Sequence, residues 1–178
     1  MRSKKCAMLW AMLALLLLPL IQASTAGAMT ASPSFSDLTV YDGAWTITSP
    51  HTLAGSGKPD TLVNHCNKNT AFYSCEQVVN GKPSALIVFV PAVAPLTYYS
   101  QPILPDGHAT GRGDLTISGD HWTFLGKDVE GDKTTWYRTE NYFTGRGKIH
   151  FEQFESTDNK TWKLTNSGDE TRQASSSH

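Results

Sequence analysis

From residue 110 to residue 164 apolar and polar residues alternate in short runs parted by glycine-bearing turns, and the pattern is written twice. Thr110-Gly111-Arg112-Gly113 leads into Asp114-Leu115-Thr116-Ile117 and, after a turn, Trp122. Thr144-Gly145-Arg146-Gly147 leads into Lys148-Ile149-His150-Phe151 and, further on, Trp162. A third aromatic run, Thr134-Thr135-Trp136-Tyr137-Arg138, lies between them. Period-two alternation bounded by turn residues predicts strands, and strands joined this tightly predict a β-meander.

The upstream half continues the pattern less regularly. Leu38 to Tyr41 precedes Gly43-Ala44-Trp45, which reads as the opening of a first strand, with a Gly- and Pro-rich loop over 51–60. Strands are predicted over 61–66 and 71–79, and Asn80-Gly81 is a strong two-residue hairpin signal. The return run Ala85 to Val90 is apolar on both faces, which predicts a central strand. A short strand at 96–100 and a loop over 101–113 complete this half. No segment after the leader has helical periodicity of useful length. The expectation is an all-β fold: a single antiparallel up-and-down meander barrel of about eight to ten strands, with a two-sheet sandwich as the alternative.

Registers follow from the turns. A two-residue turn at Gly119-Asp120 sets Ile117 opposite Trp122 and Leu115 opposite Phe124. A turn centred on Gly131 sets Phe124 opposite Arg138 and Trp122 opposite Glu140. Turns near Gly145 and Asp158 then set Glu140 against His150, Arg138 against Glu152, and Phe154 against Trp162. Cross-strand neighbours share a face. These registers gather Leu115, Ile117, Trp122, Phe124, Trp136, Phe154, Trp162 and Leu164 inside, with Arg138, Glu140, His150 and Glu152 among them. Burying such charges costs several kcal/mol each unless they are paired, so the set predicts either a ligand anchor or a self-satisfied ladder. As an anchor, Arg138 would grip a carboxylate or phosphate, and His150 or a glutamate would exchange protons.

Composition changes the picture at the N-terminus. A basic start (Arg2, Lys4, Lys5), an apolar run from Met8 to Ala23 and the small-residue site Ala26-Gly27-Ala28 predict a signal peptide over 1–28. A disordered leader over 29–36, a barrel domain over 37–167 and a disordered tail over 168–178 follow. Cleavage removes three of the 15 basic residues and none of the 16 acidic ones, leaving a net charge near −4. That balance argues against nucleic acid as partner, and the apolar run falls short of a spanning helix. Export to the periplasm or beyond makes Cys66 and Cys75 a predicted disulfide; a metal site with His65 is the weaker alternative.

Gly43-x-Trp45, Trp136-Tyr137-Arg138-x-Glu140-Asn141 and the stretch from Phe151 to Trp162 resemble secreted bacterial lipocalin-like barrels of unknown function. The resemblance spans roughly residues 38 to 165. It implies a calycin-type fold with a central cavity and carries no catalytic residues.

Other chemistry is thin. His65, His108, His121 and His150 have no metal-ligand spacing, so no metal and no cofactor is predicted. Gly-x-Ser-x-Gly is absent, and both Thr-Gly-Arg-Gly segments enter strands rather than helices, so their glycines read as bends or bulges at barrel corners. Arg112-Gly113-Asp114 is discounted as a chance tripeptide, and Asn159 reads as a turn residue. The function expected is binding of a small, partly apolar ligand, with an anionic group as one option, walled by Trp122, Trp136, Phe154 and Trp162 and oriented by Arg138, Glu140, His150 and Glu152. A barrel enzyme with a Glu or His general base, and an envelope interaction protein with a filled core, are the rivals. Ligand identity and oligomeric state are left open.

Overall fold

A computed structural model of the chain describes residues 34–54 and 57–174. The predicted signal peptide and most of the predicted leader lie outside the described residues. Ten antiparallel strands follow a short 3-10 turn, Asp37–Tyr41: β1 (Gly43–Thr48), β2 (Asp60–Lys68), β3 (Tyr73–Val79), β4 (Lys82–Pro91), β5 (Thr97–Ile103), β6 (Gly113–Ser118), β7 (His121–Glu130), β8 (Lys133–Phe143), β9 (Lys148–Ser156) and β10 (Lys163–Arg172). Each strand pairs with its neighbours in sequence, and β10 closes on β1. The expected up-and-down meander barrel is the observed fold, at the upper end of the expected strand count and two strands beyond the eight of a lipocalin.

Closure explains the apolar run of β4. A barrel has no edge and no central strand, so alternate residues of β4 face water: Leu86 and Val90 are exposed while Phe89 is buried. Asn80 and Gly81 both have positive φ, 51° and 74°, as a type I′ hairpin requires. Cys66 and Cys75 pair across β2 and β3 and form the predicted disulfide, turned inward.

Two predicted boundaries move. The leader boundary at 36 moves, because the chain from Phe35 on packs into the barrel, with Asp37–Tyr41 as the 3-10 turn. Phe35, Leu38 and Tyr41 recur every third residue, the spacing that lines one side of a 3-10 turn. This segment plugs one end of the barrel: Phe35, Leu38 and Val40 pack against Tyr73, Phe89, Tyr98, Leu115, Ile117 and Trp122. Phe35, placed in the leader by sequence, is thus core. The tail boundary at 168 also moves, because β10 runs on to Arg172.

Arg172 ties the two corrections together. Its guanidinium donates to the carbonyls of Val40, Asp42 and Arg146 and lies 4.5 Å over the Trp45 ring. The Tyr41 carbonyl accepts from Trp45 Nε1 and Asn64 Nδ2, each at 3.0 Å. Carbonyls at the end of a helical turn need such donors. Tyr98 is buried and donates its hydroxyl to the Ser34 carbonyl.

Candidate functional site

The β6–β7 register is as expected, with Leu115 opposite Phe124 and Ile117 opposite Trp122, all facing inward. The β7–β8 hairpin differs by one residue. It turns on Gly131-Asp132, with Glu130 paired to Lys133, rather than on a turn centred on Gly131. Trp122 therefore meets Asn141 and Phe124 meets Thr139. A one-residue slip reverses the face of every side chain, so Trp136, Arg138 and Glu140 turn outward. The β8–β9 register differs from expectation by two, which preserves parity: Glu140 meets Glu152, Arg138 meets Phe154 and Tyr142 meets His150. His150, Glu152 and Phe154 follow to the outside. Of the eight predicted cavity residues, Trp122 alone faces the interior.

The outward set nevertheless assembles. The Arg138 guanidinium lies between the rings of Phe154 and Trp162, 4.7 and 4.5 Å from their centroids. Its Nε is 3.0 Å from Glu140 Oε1, a charge contact without the alignment of a good hydrogen bond. Glu140 Oε2 accepts from Thr123 Oγ1 at 2.7 Å and meets His121 Nε2 at 2.6 Å. His121 stacks flat on Tyr142, and burial together with the Glu152 and Glu140 carboxylates pushes the Tyr142 hydroxyl up. His150 is half exposed on the outer face and contacts Asp169. The cluster stands on the outer wall and its pairs are not those the registers predict: Arg138 meets Glu140 instead of Glu152, and His150 meets Asp169 instead of Glu140. Trp136 stands apart from it, beneath the Lys127 ammonium.

The interior holds a different set. Below the plug lies a cavity of about 130 Å³ lined by Tyr41, Asn64, Gln77, Phe89, Asn141 and Glu170, among others. Asn64 and Asn141 are 2% and 6% exposed. Asn64 donates its amide to the Tyr41 carbonyl and Asn141 donates to the Tyr41 hydroxyl, 2.8 Å away. Both Oδ1 atoms are left without a partner. Glu170 turns inward between Ile47 of β1 and Ile149 of β9. It is only partly covered, since it lines the cavity, yet burial pushes its carboxyl up to about 7. Burial, with the Glu170 charge adding to it, also raises the Tyr41 hydroxyl.

Towards the opposite end the interior widens into a mouth of about 400 Å³, walled by Ser100, Pro102, Gly113, Gly126, Tyr137 and Thr139. Phe124 lines both spaces. The strand ends here turn Tyr137, Gln153 and Glu155 inward by register, yet all three stay exposed. Sequence reasoning missed Tyr41, Asn64, Asn141 and Glu170. The one available signal was parity with Trp122, which selects Asn141 once the β7–β8 turn is known.

No family model and no curated protein matches the sequence. The crystal structure of Rv2717c from M. tuberculosis is similar, with a TM-score of 0.50 at 13% identity, over 80% of this chain and 98% of that one. At that identity the likeness extends to the fold alone.

Proposed function

We propose that this protein is an exported small-molecule-binding barrel that admits its ligand through the mouth and holds it in the interior, in the manner of lipocalin-like proteins. The observation that carries the reading is the inner cavity: buried Asn64 and Asn141 each aim an unpaired acceptor where protein packing leaves room. Leaving such an atom unsatisfied costs about 1–3 kcal/mol, so a plain core would have paired or replaced it. The Cys66–Cys75 disulfide suits an oxidising compartment and so supports export.

The ligand is not held by an interior Arg138. Among the described residues no lysine or arginine head group faces the inner cavity, since Arg172 is spent on main-chain carbonyls. The anionic ligand and the enzyme based on Glu140, His150 or Glu152 lose their anchor with the change of register. What supports ligand binding is a partly apolar, acceptor-rich chamber entered from one end.

Native mass spectrometry of the protein exported from its own host, compared with its denatured mass, tests this. The expected result is a bound small molecule that is lost in Thr139→Trp, a variant that obstructs the mouth without touching the plug. A bare polypeptide mass, joined to an inner chamber that excludes every small solute tried, would replace the ligand site with a filled-core interaction protein.

A further inference from the structure

The ligand-site reading leaves the ligand's chemistry open, and the inner cavity narrows it. Its unpaired buried polar atoms are acceptors. Asn64 Oδ1 and Asn141 Oδ1 have no partner, while each of the two amide nitrogens already donates one hydrogen to Tyr41. The Asn64 orientation is fixed by its partner, because a main-chain carbonyl can only accept. No hydrogen bond or ion pair reaches the Glu170 carboxyl from any described residue. The walls add the rings of Phe89 and Phe124, whose negative faces attract cations.

The charges around Glu170 do not neutralise it. β1 turns Trp45 and Ile47 to this side and β9 turns Ile149. The plug contributes the Tyr41 hydroxyl, held in its neutral form by burial. On its own strand Arg172 is turned to Val40, Asp42 and Arg146. A carboxyl that can ionise, two amide oxygens and two aromatic rings, with no lysine or arginine among the described residues of the lining, form a receptor for a positive donor.

We propose that the inner cavity binds a small organic ammonium ion, whose N–H donors are shared among Asn64 Oδ1, Asn141 Oδ1 and the Glu170 carboxylate. This rests on the reading of the cavity as a ligand site. Size agrees: a space of about 130 Å³ corresponds to roughly four water-sized groups at ~30 Å³ each, which fits a short alkylammonium head. A longer apolar tail would extend past Phe124 into the mouth.

The test is calorimetric titration of the mature protein with ethylammonium chloride, ethanol and sodium acetate at matched ionic strength, at pH 8 and pH 6. Three heavy atoms limit the affinity to about the millimolar range. Ethylammonium is expected to bind at pH 8 at least ~10-fold more tightly than ethanol, and acetate not at all. Between pH 8 and pH 6 its affinity falls about tenfold, because the ligand remains charged while Glu170, with its carboxyl near 7, takes up a proton. Glu170→Gln removes both the preference and the pH dependence, whereas Asn64→Leu weakens binding and keeps the pH dependence. Equal binding of ethanol and ethylammonium overturns the ammonium assignment and leaves the ligand site standing. No binding by any of the three, with water retained in the cavity, overturns both.

Discussion

One end of this barrel is filled by its own chain and the other is left open, although both ends carry the same four-residue motif. At the plug end β3, β5, β6 and β7 turn Tyr73, Tyr98, Ile117 and Trp122 inward, and the chain lays Phe35, Leu38 and Val40 among them. At the mouth the inward positions are Ser100, Gly113, Gly126 and Thr139, side chains too small to meet across the barrel. The plug end is clasped by a cation on carbonyls, Arg172. The mouth loop is clasped by an anion on N–H groups: Asp60 accepts from Leu53 N, Ala54 N and Asn80 Nδ2, all at 2.7 Å. Burial raises the Asp60 carboxyl, but these three donors outweigh it and hold the group below the usual carboxylate range. Stability, on this comparison, is concentrated at the plug, and the proposed binding space lies beneath it, towards the open half.

The sharpest way to break the comparison is to empty the plug. Leu38 is fully buried, and Leu38→Ala should cost about 3–5 kcal/mol by lost transfer energy and a residual cavity. Arg172→Met keeps the stem over Trp45 while removing the donors to three carbonyls, and should cost about 3 kcal/mol. Urea midpoints measure both. Thr139→Trp at the mouth should by contrast stay within ~1 kcal/mol of the parent. A mouth variant as damaging as Leu38→Ala would dissolve the distinction between the ends.

The plug and β10 are also where sequence and structure part. β10 turns Asn166, Gly168, Glu170 and Arg172 inward, so its inner face has no apolar alternation and its residues read as a frayed tail. The strand exists because β9 and β1 offer it two ladders, a tertiary cause invisible in local pattern. The plug is hidden for a different reason: the i, i+3 apolar spacing of Leu38 and Tyr41 depends on Phe35, three residues upstream, which lies in a stretch of small residues that reads as a leader. The meander and the β6–β7 hairpin are legible because turn chemistry and alternation agree there, whereas closure, which needs β10 to reach β1, is not. The Arg138 cluster is placed on the wrong wall by one residue in the turn at Gly131, and the two-residue difference in the β8–β9 register replaces its expected partners.

Glu170 sits between the two ends and can be read by pH. Its carboxyl is raised from the ordinary 4.5 to about 7 in the folded protein. Folding therefore favours the protonated form: its contribution is fully present below pH 4.5 and is lost as pH rises through 7. The loss is at most about 3 kcal/mol, and less in practice because Glu170 keeps some exposed surface. Glu170→Gln should be near neutral at pH 4 and stabilising at pH 8, by ~1–3 kcal/mol in urea unfolding. A parent protein whose stability does not fall between pH 4.5 and pH 7 would show that the carboxyl is solvated, and the open half would then reach further under the plug.

The smallest effects come from the repeated motif, and they separate the ends most finely. In the mouth copy, a Cβ on Gly111 would lie 2.1 Å from the Lys127 carbonyl oxygen, and one on Gly113 would lie 2.9 Å from that of Leu125. There the glycines let the segment before β6, and β6 itself, approach β7. In the plug-end copy Gly145 has φ +68°, while a Cβ on Gly147 would meet nothing within 4 Å. The same four letters thus serve close approach at one end and a left-handed turn at the other. Gly111→Ala must push main chain apart and should cost about 1–3 kcal/mol. Gly145→Ala should cost about 1 kcal/mol for its positive φ. Gly147→Ala should lie within ~0.5 kcal/mol of the parent, since it meets neither obstacle. Thermal or urea unfolding of the three variants ranks them. If Gly147→Ala proved as costly as Gly111→Ala, the motif would be doing one job twice, and the two ends would be more alike than their side chains indicate.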